Sequence, residues 1–187
     1  MNGKGSGWGG TEAYILGGGL SSRYGFDKCL AETAGISFLD RISEVLSARF
    51  GEVILVASGS RKWEGAQIPD LYEVRCSMNG IVTALSAGRG DFVFISACDL
   101  PFITVEAVDR VYSEAMEGGL TCLGKSEGRI HYGFGCYSTA LLPSMREAME
   151  SGHYALHRFM NRHPYCTVDL DPRQLLNVNR PSDLPPG

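Results

Sequence analysis

The residues best suited to chemistry lie in one glycine-rich stretch near the start of the chain, residues 13–28. It opens with the apolar run 13–16, which is typical of a short buried strand. Three consecutive glycines follow, and because glycine accepts positive φ without steric cost, the backbone can turn sharply there and approach a ligand. Arg23 and Lys28 then supply cationic donors. A strand, a loop rich in N–H groups and positive side chains together indicate a phosphate-binding site.

Two common phosphate-binding motifs do not fit this stretch. A P-loop requires a glycine directly before its lysine and Ser or Thr directly after it, but Cys29 follows Lys28. A dinucleotide-binding fingerprint requires a third glycine where Ser22 stands. It also requires an acidic residue at the end of the second strand, and residues 53–58 contain none. Both motifs are therefore rejected.

Composition and charge restrict the class of protein. The chain has 187 residues, of which 44% are hydrophobic and 20% are charged, as expected for one globular domain. A net charge of −4 argues against a general nucleic-acid binder, although a small polyanion needs only local positive charge. No apolar run is long enough to cross a bilayer, and no hydrophobic segment of a secretory signal is present. We expect a flexible glycine-rich tail over residues 1–11, one domain over residues 12–187, and a cytoplasmic location.

The cysteines and histidines do not suggest a metal cluster or a disulfide framework. The six cysteines never form Cys-x-x-Cys, so we expect reduced thiols, several of them buried as small hydrophobes. His153 and His157 stand four residues apart, a spacing that can place two metal ligands on one helix face. No third ligand is apparent, so we interpret this pair as exposed helix residues. The chain also lacks the Gly-x-Ser-x-Gly motif of a serine nucleophile.

The elements that must position the glycine loop follow from the apolar pattern. Residues 38–50 carry an apolar stripe at helical spacing, with Ser37 as N-cap and Gly51 at the C-terminal stop. Residues 53–57 then predict a second buried strand, so that strand, helix and strand form a parallel crossover. Residues 91–98, nearly all apolar or small, predict a central strand covered on both faces.

The remainder of the chain predicts further helices and strands. We expect loop or a short helix over residues 58–67 and an irregular segment over residues 71–78. The later elements are a helix from Asn79 to about Gly88, a helix capped by Thr104, strands at 120–124 and 132–137, helices at 141–149 and 154–161, and a last strand at Val168. This order predicts a three-layer α/β/α, Rossmann-like domain with a mainly parallel sheet and with nucleotide at its carboxyl edge.

A longer signature, Leu-x-Gly-Gly-x-x-x-Arg-x-Gly-x-x-Lys, is present in the glycine-rich stretch. It is formed by Leu16, Gly18, Gly19, Arg23, Gly25 and Lys28. This signature resembles that of the nucleotidyltransferases that activate sugars, cofactors and pterins, and within that group it resembles the molybdenum cofactor guanylyltransferases. Members of that family usually have Ala at position 17 and Met at position 24, where this chain has Gly17 and Tyr24. Neither change removes a phosphate donor.

The resemblance extends along the chain. Residues 98–103 are similar to the family's Cys-Asp-x-Pro-Tyr/Phe-Ile, and residues 78–85 are similar to its Leu-x-Gly-Ile-x-x-Ala-Leu. The family usually has Gly-Pro before the latter, where this chain has Cys-Ser at 76–77. Residues 177–181 resemble its terminal Asn-x-Asn-x-Pro, and residues 134–143 also match.

The resemblance implies an enzyme that transfers GMP from Mg-GTP to molybdopterin or its molybdenum form. The product would be the guanine dinucleotide cofactor, with release of pyrophosphate. Other cofactor-biosynthesis proteins or target molybdoenzymes are the protein partners that it allows. Neither nucleic acid nor a membrane is implied as a partner.

The resemblance also assigns roles to individual residues. The nucleotide-binding residues that it implies are Leu16, Gly18, Gly19, Arg23, Lys28, Asp70, Gly80 and Asp99. Arg23, Lys28 and Asp99 would also be catalytic, with Asp99 holding Mg²⁺. Asn177 and Asn179 would position the pterin or the water shell of the metal.

Two questions stay open at this point. Asp70, the implied contact to guanine, could equally be a turn residue after Pro69. The asparagine that the family often presents from the second strand is replaced by the run 56–58, Val-Ala-Ser, so CTP is an alternative nucleotide. A non-catalytic nucleotide-binding regulator is a second alternative, against which intact Arg23, Lys28 and Asp99 argue.

Overall fold

The computed structural model describes residues 10–18, 28–33, 35–59 and 62–184. The strands in these segments are β1 Ala13–Leu16, β2 Glu32–Thr33, β3 Ile36–Ser37, β4 Val53–Val56, β5 Ala66–Ile68, β6 Phe92–Ala97, β7 Thr121–Ser126, β8 Arg129–Ser138 and β9 Tyr165–Asp169. The helices are α1 Phe38–Ser47, α2 Ser77–Ala87, α3 Val105–Gly118, α4 Leu142–Glu150 and α5 Leu156–Met160. Short 3₁₀ turns cover Lys28–Leu30, Thr139–Leu141 and Pro181–Asp183.

The main sheet has seven strands in the order β5-β4-β1-β6-β8-β7-β9, and β2 and β3 form a separate hairpin. Strand β1 pairs in parallel with both β4 and β6, β4 with β5, and β7 with β9. Strand β8 alone of the seven runs against its neighbours β6 and β7. The predicted mainly parallel sheet is thus confirmed.

Each face of the sheet is covered by helices, which completes the three predicted layers. Along β1, Ala13 and Ile15 face one core with α1 and α3, while Tyr14 and Leu16 face the other with α2, α4 and α5. The first core centres on Phe94 of β6, whose ring lies 5.3 Å from those of both Phe50 and Phe134. Because successive side chains of a strand alternate between faces, a strand buried on both sides must be apolar throughout.

The predicted helix caps are confirmed, but one helix end is not. Ser37 accepts a hydrogen bond from the amide of Asp40 at 3.0 Å, and Thr104 accepts one from Ala107 at 3.2 Å. Helix α1 ends at Ser47 instead of continuing to Gly51. The amide of Phe50 still bonds to a carbonyl of the last helical turn, that of Leu46, at 2.9 Å, so its ring reaches the core from outside the helix.

Strand β5 and the β2–β3 hairpin were not predicted, since each contributes only two or three residues. None of the six cysteines, all of which lie in the described segments, is in a disulfide, as expected for reduced thiols, and four of them are buried. Residues 1–9 of the predicted tail lie outside the described residues, while the hydroxyl of Thr11 lies 3.3 Å from that of Tyr112. No helix in the described part of the chain is long and apolar enough to cross a membrane.

Candidate active site

A cleft of about 1400 Å³ opens where the parallel strands β4, β1 and β6 end. The chain leaves β1 for β4 and β5 on one side and then returns to β6 on the other side, so the direction of winding switches at β1. Open α/β sheets bind ligands in the crevice at such a switch point, outside the carboxyl ends of the strands. A cleft is therefore present at the edge of the sheet where the sequence predicts the site.

The start of the glycine loop forms one wall of this cleft. The amide of Gly17 donates to the carbonyl of Val56 at 2.8 Å, which continues the pairing of β1 with β4. The thiols of Cys29 and Cys98, both buried, donate to the carbonyl of Gly17 at 3.3 and 3.6 Å. Since the carbonyl and the following N–H of a trans peptide point in opposite directions, the N–H of Gly18 is directed away from these thiols. Gly18 is exposed on the cleft wall at φ 62°, a left-handed conformation that favours glycine.

The remainder of the glycine loop is not part of the described structure. Gly19 and Arg23 lie outside the described residues, and for Lys28 only the backbone is described, as the first residue of a 3₁₀ turn. Their roles in binding the triphosphate stay predictions.

Leu16 and Gly80, two predicted nucleotide-binding residues, contact each other in the cleft wall. Gly80 lies in the first turn of α2 and is buried. A Cβ on Gly80 would lie 3.2 Å from a methyl carbon of Leu16, a separation that forces a small shift. Gly80 therefore allows the amino end of α2 to pack closely on the end of β1.

Asp99 follows β6, is partly buried and lines the cleft. Its carbonyl accepts a hydrogen bond from the amide of Val178 at 2.8 Å, which brings the C-terminal segment to the same edge. Asn177 lines the cleft as well, and Asn179 donates from its side chain to the side-chain oxygen of Asn177. The structure thus brings Asp99 and Asn177 together, while Asn179 is linked to the cleft wall through Asn177.

Asp70 lies on the opposite side of the cleft mouth, directly after β5 and Pro69. It is partly buried, and the irregular segment that follows it also lines the cleft. The predicted irregular structure of residues 71–76 is confirmed, but helix α2 begins at Ser77, two residues before the expected Asn79.

The far wall of the cleft contains residues that sequence reasoning did not select. Arg129 and Tyr132 come from β8, and Tyr154 and His157 come from the region of α5. Both Arg129 and His157 are exposed. The sequence does show a charged turn just before Arg129. It does not show that this turn lies beside the cleft, so Arg129 could not be selected from it. None of the ion pairs or side-chain hydrogen bonds found among the described residues involves the Arg129 guanidinium.

The pair His153 and His157 does not share a helix face. Helix α5 begins at Leu156, so His153 precedes it. Both histidines are exposed, as expected, and only His157 lies on the cleft wall. In the described part of the chain, no group of three His, Cys, Asp or Glu side chains could hold a metal ion.

His131, on β8, shows how charge is arranged near Asp99. Its Nε2 lies 2.8 Å from the hydroxyl of Ser126, a partner that the sequence did not reveal. Burial lowers the pKa of His131 below its ordinary value, and the positive charge of Arg129 lowers it further, whereas the carboxylate of Asp99 acts in the opposite direction. Both Arg129 and Asp99 are thus close enough to act electrostatically on this imidazole.

The carboxylate of Asp99 is the kind of donor needed by a divalent cation that is shared with phosphate groups of a substrate. Mg²⁺ is commonly held by one or two carboxylates together with substrate phosphates and water, so it needs no cage made by the protein alone. Asp99 supplies such a carboxylate at the end of the central strand, beside the glycine turn.

The chain matches a known protein family. The family described as MobA-like NTP transferase domain matches residues 13–167. A relative from Aquifex aeolicus, named as a probable molybdenum cofactor guanylyltransferase, is 32% identical over 177 residues, which cover 91% of this chain and 87% of the relative.

Two solved structures share the fold at lower identity. Molybdopterin-guanine dinucleotide biosynthesis protein A from Archaeoglobus fulgidus has a TM-score of 0.80 and 20% identity, over 92% of this chain and 94% of that one. The 2-C-methyl-D-erythritol 4-phosphate cytidylyltransferase from Thermus thermophilus has a TM-score of 0.71 and 16% identity, over 92% and 95% of the two chains.

Proposed function

Because the chain belongs to the MobA-like NTP transferase family, we propose that it transfers GMP from Mg-GTP to molybdopterin or its molybdenum form. The observation that carries this proposal is the single cleft that connects Gly18, Asp70 and Asp99 with Asn177 and Arg129. One half of this cleft suits a nucleoside triphosphate and the other half suits a phosphorylated acceptor. The enzyme would act in the cytoplasm, with other cofactor-biosynthesis proteins or target molybdoenzymes as partners.

The reaction needs no protein nucleophile. A terminal phosphate monoester on the pterin is mostly dianionic at neutral pH, because its second pKa is ~6. One of its oxygens attacks the α-phosphorus of GTP and forms a new P–O bond. The bond from the α-phosphorus to the oxygen that bridges it to the β-phosphorus breaks, and pyrophosphate leaves with that electron pair. The protein therefore has to align the two phosphates and offset their charge.

The nucleotide half of the cleft is assigned to the triphosphate and the base. The N–H groups of the glycine turn, with Arg23 and Lys28, would bind phosphate oxygens. Asp99 would hold Mg²⁺, which neutralises charge on the triphosphate when bound. The carboxylate of Asp70 would accept from N1–H and from the exocyclic amine of guanine.

The acceptor half is assigned to the pterin and its phosphate. Asn177 lies beside Asp99, so a group bound there would be close to the triphosphate. Arg129 supplies a positive charge on the far wall, where an acceptor phosphate would have to approach. Tyr154 presents an exposed ring on the same wall, which suits a flat heterocycle.

Pyrophosphate release tests this proposal. The protein would be incubated with GTP and Mg²⁺, with and without molybdopterin, and pyrophosphate would be measured over time. We expect release that requires both the metal and the pterin. Nucleotide binding without pyrophosphate release in the complete mixture would instead indicate a non-catalytic regulator.

A further inference from the structure

The segment 70–76 forms a continuous part of the cleft wall without regular secondary structure. All seven of its residues line the cleft, and Leu71, Glu73 and Arg75 are exposed. An irregular segment whose residues are all exposed or only partly buried has little packing of its own to restrain it. Recognition of a ligand by this segment therefore depends on the contacts that hold its backbone in place.

Asn79, in the first turn of α2, supplies those contacts. Its side chain is only 3% exposed and is turned back onto the segment. Oδ1 accepts from the amide of Tyr72 at 3.1 Å, and Nδ2 donates to the carbonyls of Tyr72 at 2.6 Å and Val74 at 2.9 Å. Both N–H donors of the amide are used in this way, so the side chain is held in one orientation.

Thr83, one helical turn further along α2, extends the same attachment. Its hydroxyl accepts from the amide of Leu71 at 2.9 Å and donates to the carbonyl of Asn79 at 2.8 Å. The residue directly after Asp70 is therefore anchored to the helix. In total, α2 holds the backbone of Leu71, Tyr72 and Val74 by side-chain hydrogen bonds.

This attachment compensates for a feature of the chain itself. Residue 77, immediately before Met78, is a serine, so no proline fixes φ at the entry to α2. The N-cap residue, Cys76, also makes no side-chain capping bond. The hydrogen bonds of Asn79 and Thr83 thus attach the segment to the helix that follows it.

We propose that Asn79 is a positioning residue for base selection. It holds segment 70–76 in the conformation that lets Asp70 and the adjoining backbone distinguish guanine from other bases. This inference rests on the proposed function, because it concerns the nucleotide half of that site. Asn79 itself lines the cleft, but its amide group is bonded to the backbone of Tyr72 and Val74, so we assign it to act through the segment.

The structural half of the proposal can be tested without any nucleotide. Asn79→Ala removes all three bonds to the segment, so amide hydrogen exchange at Tyr72 should accelerate by about tenfold or more. Ser86→Ala is the matched control, because it also removes a hydrogen bond on α2, to the carbonyl of Val82 at 2.7 Å. Exchange at Tyr72 should not change in that control. Unchanged exchange in Asn79→Ala would overturn the proposal.

The functional half is a comparison of base preference. The affinities for GTP, ITP and ATP would be measured for the wild type and for Asn79→Ala. We expect the preference for GTP over ATP to fall by about tenfold, as for the loss of a well-formed polar contact, while the dependence on Mg²⁺ stays unchanged. An unchanged ratio of the affinities for GTP and ATP would overturn the role in base selection. A wild type that binds the bases equally would instead contradict the proposed function, and the exchange result would still stand.

A second variant covers the case in which Asn79→Ala does not fold. Asn79→Ser buries no charge and keeps one hydroxyl group, which can donate or accept a hydrogen bond. We expect an acceleration of exchange at Tyr72 and a loss of preference for GTP that are no larger than those of Asn79→Ala. A variant that folds and keeps the full preference of the wild type would also overturn the proposal.

Discussion

The amide of Val178 donates a 2.8 Å hydrogen bond to the carbonyl of Asp99, so the C-terminal segment is joined to the end of the central strand β6. Val178 is fully buried in a small cluster with Ala31 and Phe38. Because side chains alternate along an extended segment, Asn177 points away from this cluster and reaches the cleft. The acceptor half of the site is therefore held in a fixed relation to the carboxylate that would bind the metal.

Replacing Asp99 by asparagine should remove metal-dependent turnover without unfolding the protein. The amide is nearly isosteric but carries no charge, so it binds Mg²⁺ poorly. We expect the rate of pyrophosphate release to fall by about a hundredfold or more. The rate would be followed as a function of Mg²⁺ concentration, with thermal unfolding as the check on the fold. Asp169→Asn, which changes an exposed carboxylate near Lys125, is the control. Near-normal turnover in Asp99→Asn, with the same metal dependence, would remove Asp99 from the mechanism.

Arg23→Ala and Lys28→Ala should each reduce GTP binding or turnover far more than stability. Both cations follow the glycine turn, where phosphate binding is their expected role. Titration with GTP and a thermal unfolding curve would be compared for each variant. Arg110→Ala, on the exposed face of α3, is the control for loss of a positive charge. If stability and activity fell in parallel, a structural role would replace the assigned one.

Asp70→Ala should lower the preference for GTP over ATP and CTP and leave the dependence on Mg²⁺ intact. Cytosine and adenine do not offer the adjacent pair of donors that guanine offers to a carboxylate. Leaving such donors unpaired costs roughly 1–3 kcal/mol, which corresponds to a tenfold to hundredfold loss of discrimination. Competition binding with the three nucleotides measures this preference. The control is Asp91→Ala, which removes an exposed carboxylate just before β6. Unchanged ratios of the affinities for the three nucleotides would identify Asp70 as a turn residue only.

Arg129→Gln should raise the KM for molybdopterin by about tenfold, since a charge-assisted bond to phosphate is lost. The KM for GTP should change little, because Arg129 lies on the far wall of the cleft. Lys125→Gln changes a cation on the preceding strand that pairs with Asp169 and does not line the cleft. Initial rates at varied acceptor and varied GTP separate the two KM values. A rise in the KM for GTP alone would place Arg129 in the nucleotide half.

The strands at the base of the cleft could be predicted because buried strands consist mainly of apolar and small residues. Strand β6 consists of apolar residues and the small residue Ser96, as expected of a strand covered on both faces. The caps of α1 and α3 were equally clear, because Ser37 and Thr104 act through local hydrogen bonds. Strand β5 was not predictable, because Ala66–Ile68 becomes a strand only through its pairing with β4.

The far wall of the site depends on contacts between distant parts of the chain. The ladder between β7 and β8 shifts register at Leu123 and Gly124, and Gly133 lets β8 pass close to Ala97 at the end of β6. These features bring Arg129 to the cleft. The hydrogen bonds between Asn79 and the backbone of Tyr72 and Val74 were also not predictable. An asparagine near the start of a helix does not reveal which backbone groups its side chain will bond.

The mass of the product formed from molybdopterin and each of the four nucleoside triphosphates tests the central claim most directly. The protein would be incubated with Mg²⁺, molybdopterin and one triphosphate at a time, and the products would be separated and weighed by mass spectrometry. We predict a guanine dinucleotide of molybdopterin, with one pyrophosphate released per product, and much less product with the other three triphosphates. A cytosine dinucleotide as the main product, or no dinucleotide with any triphosphate, would contradict it.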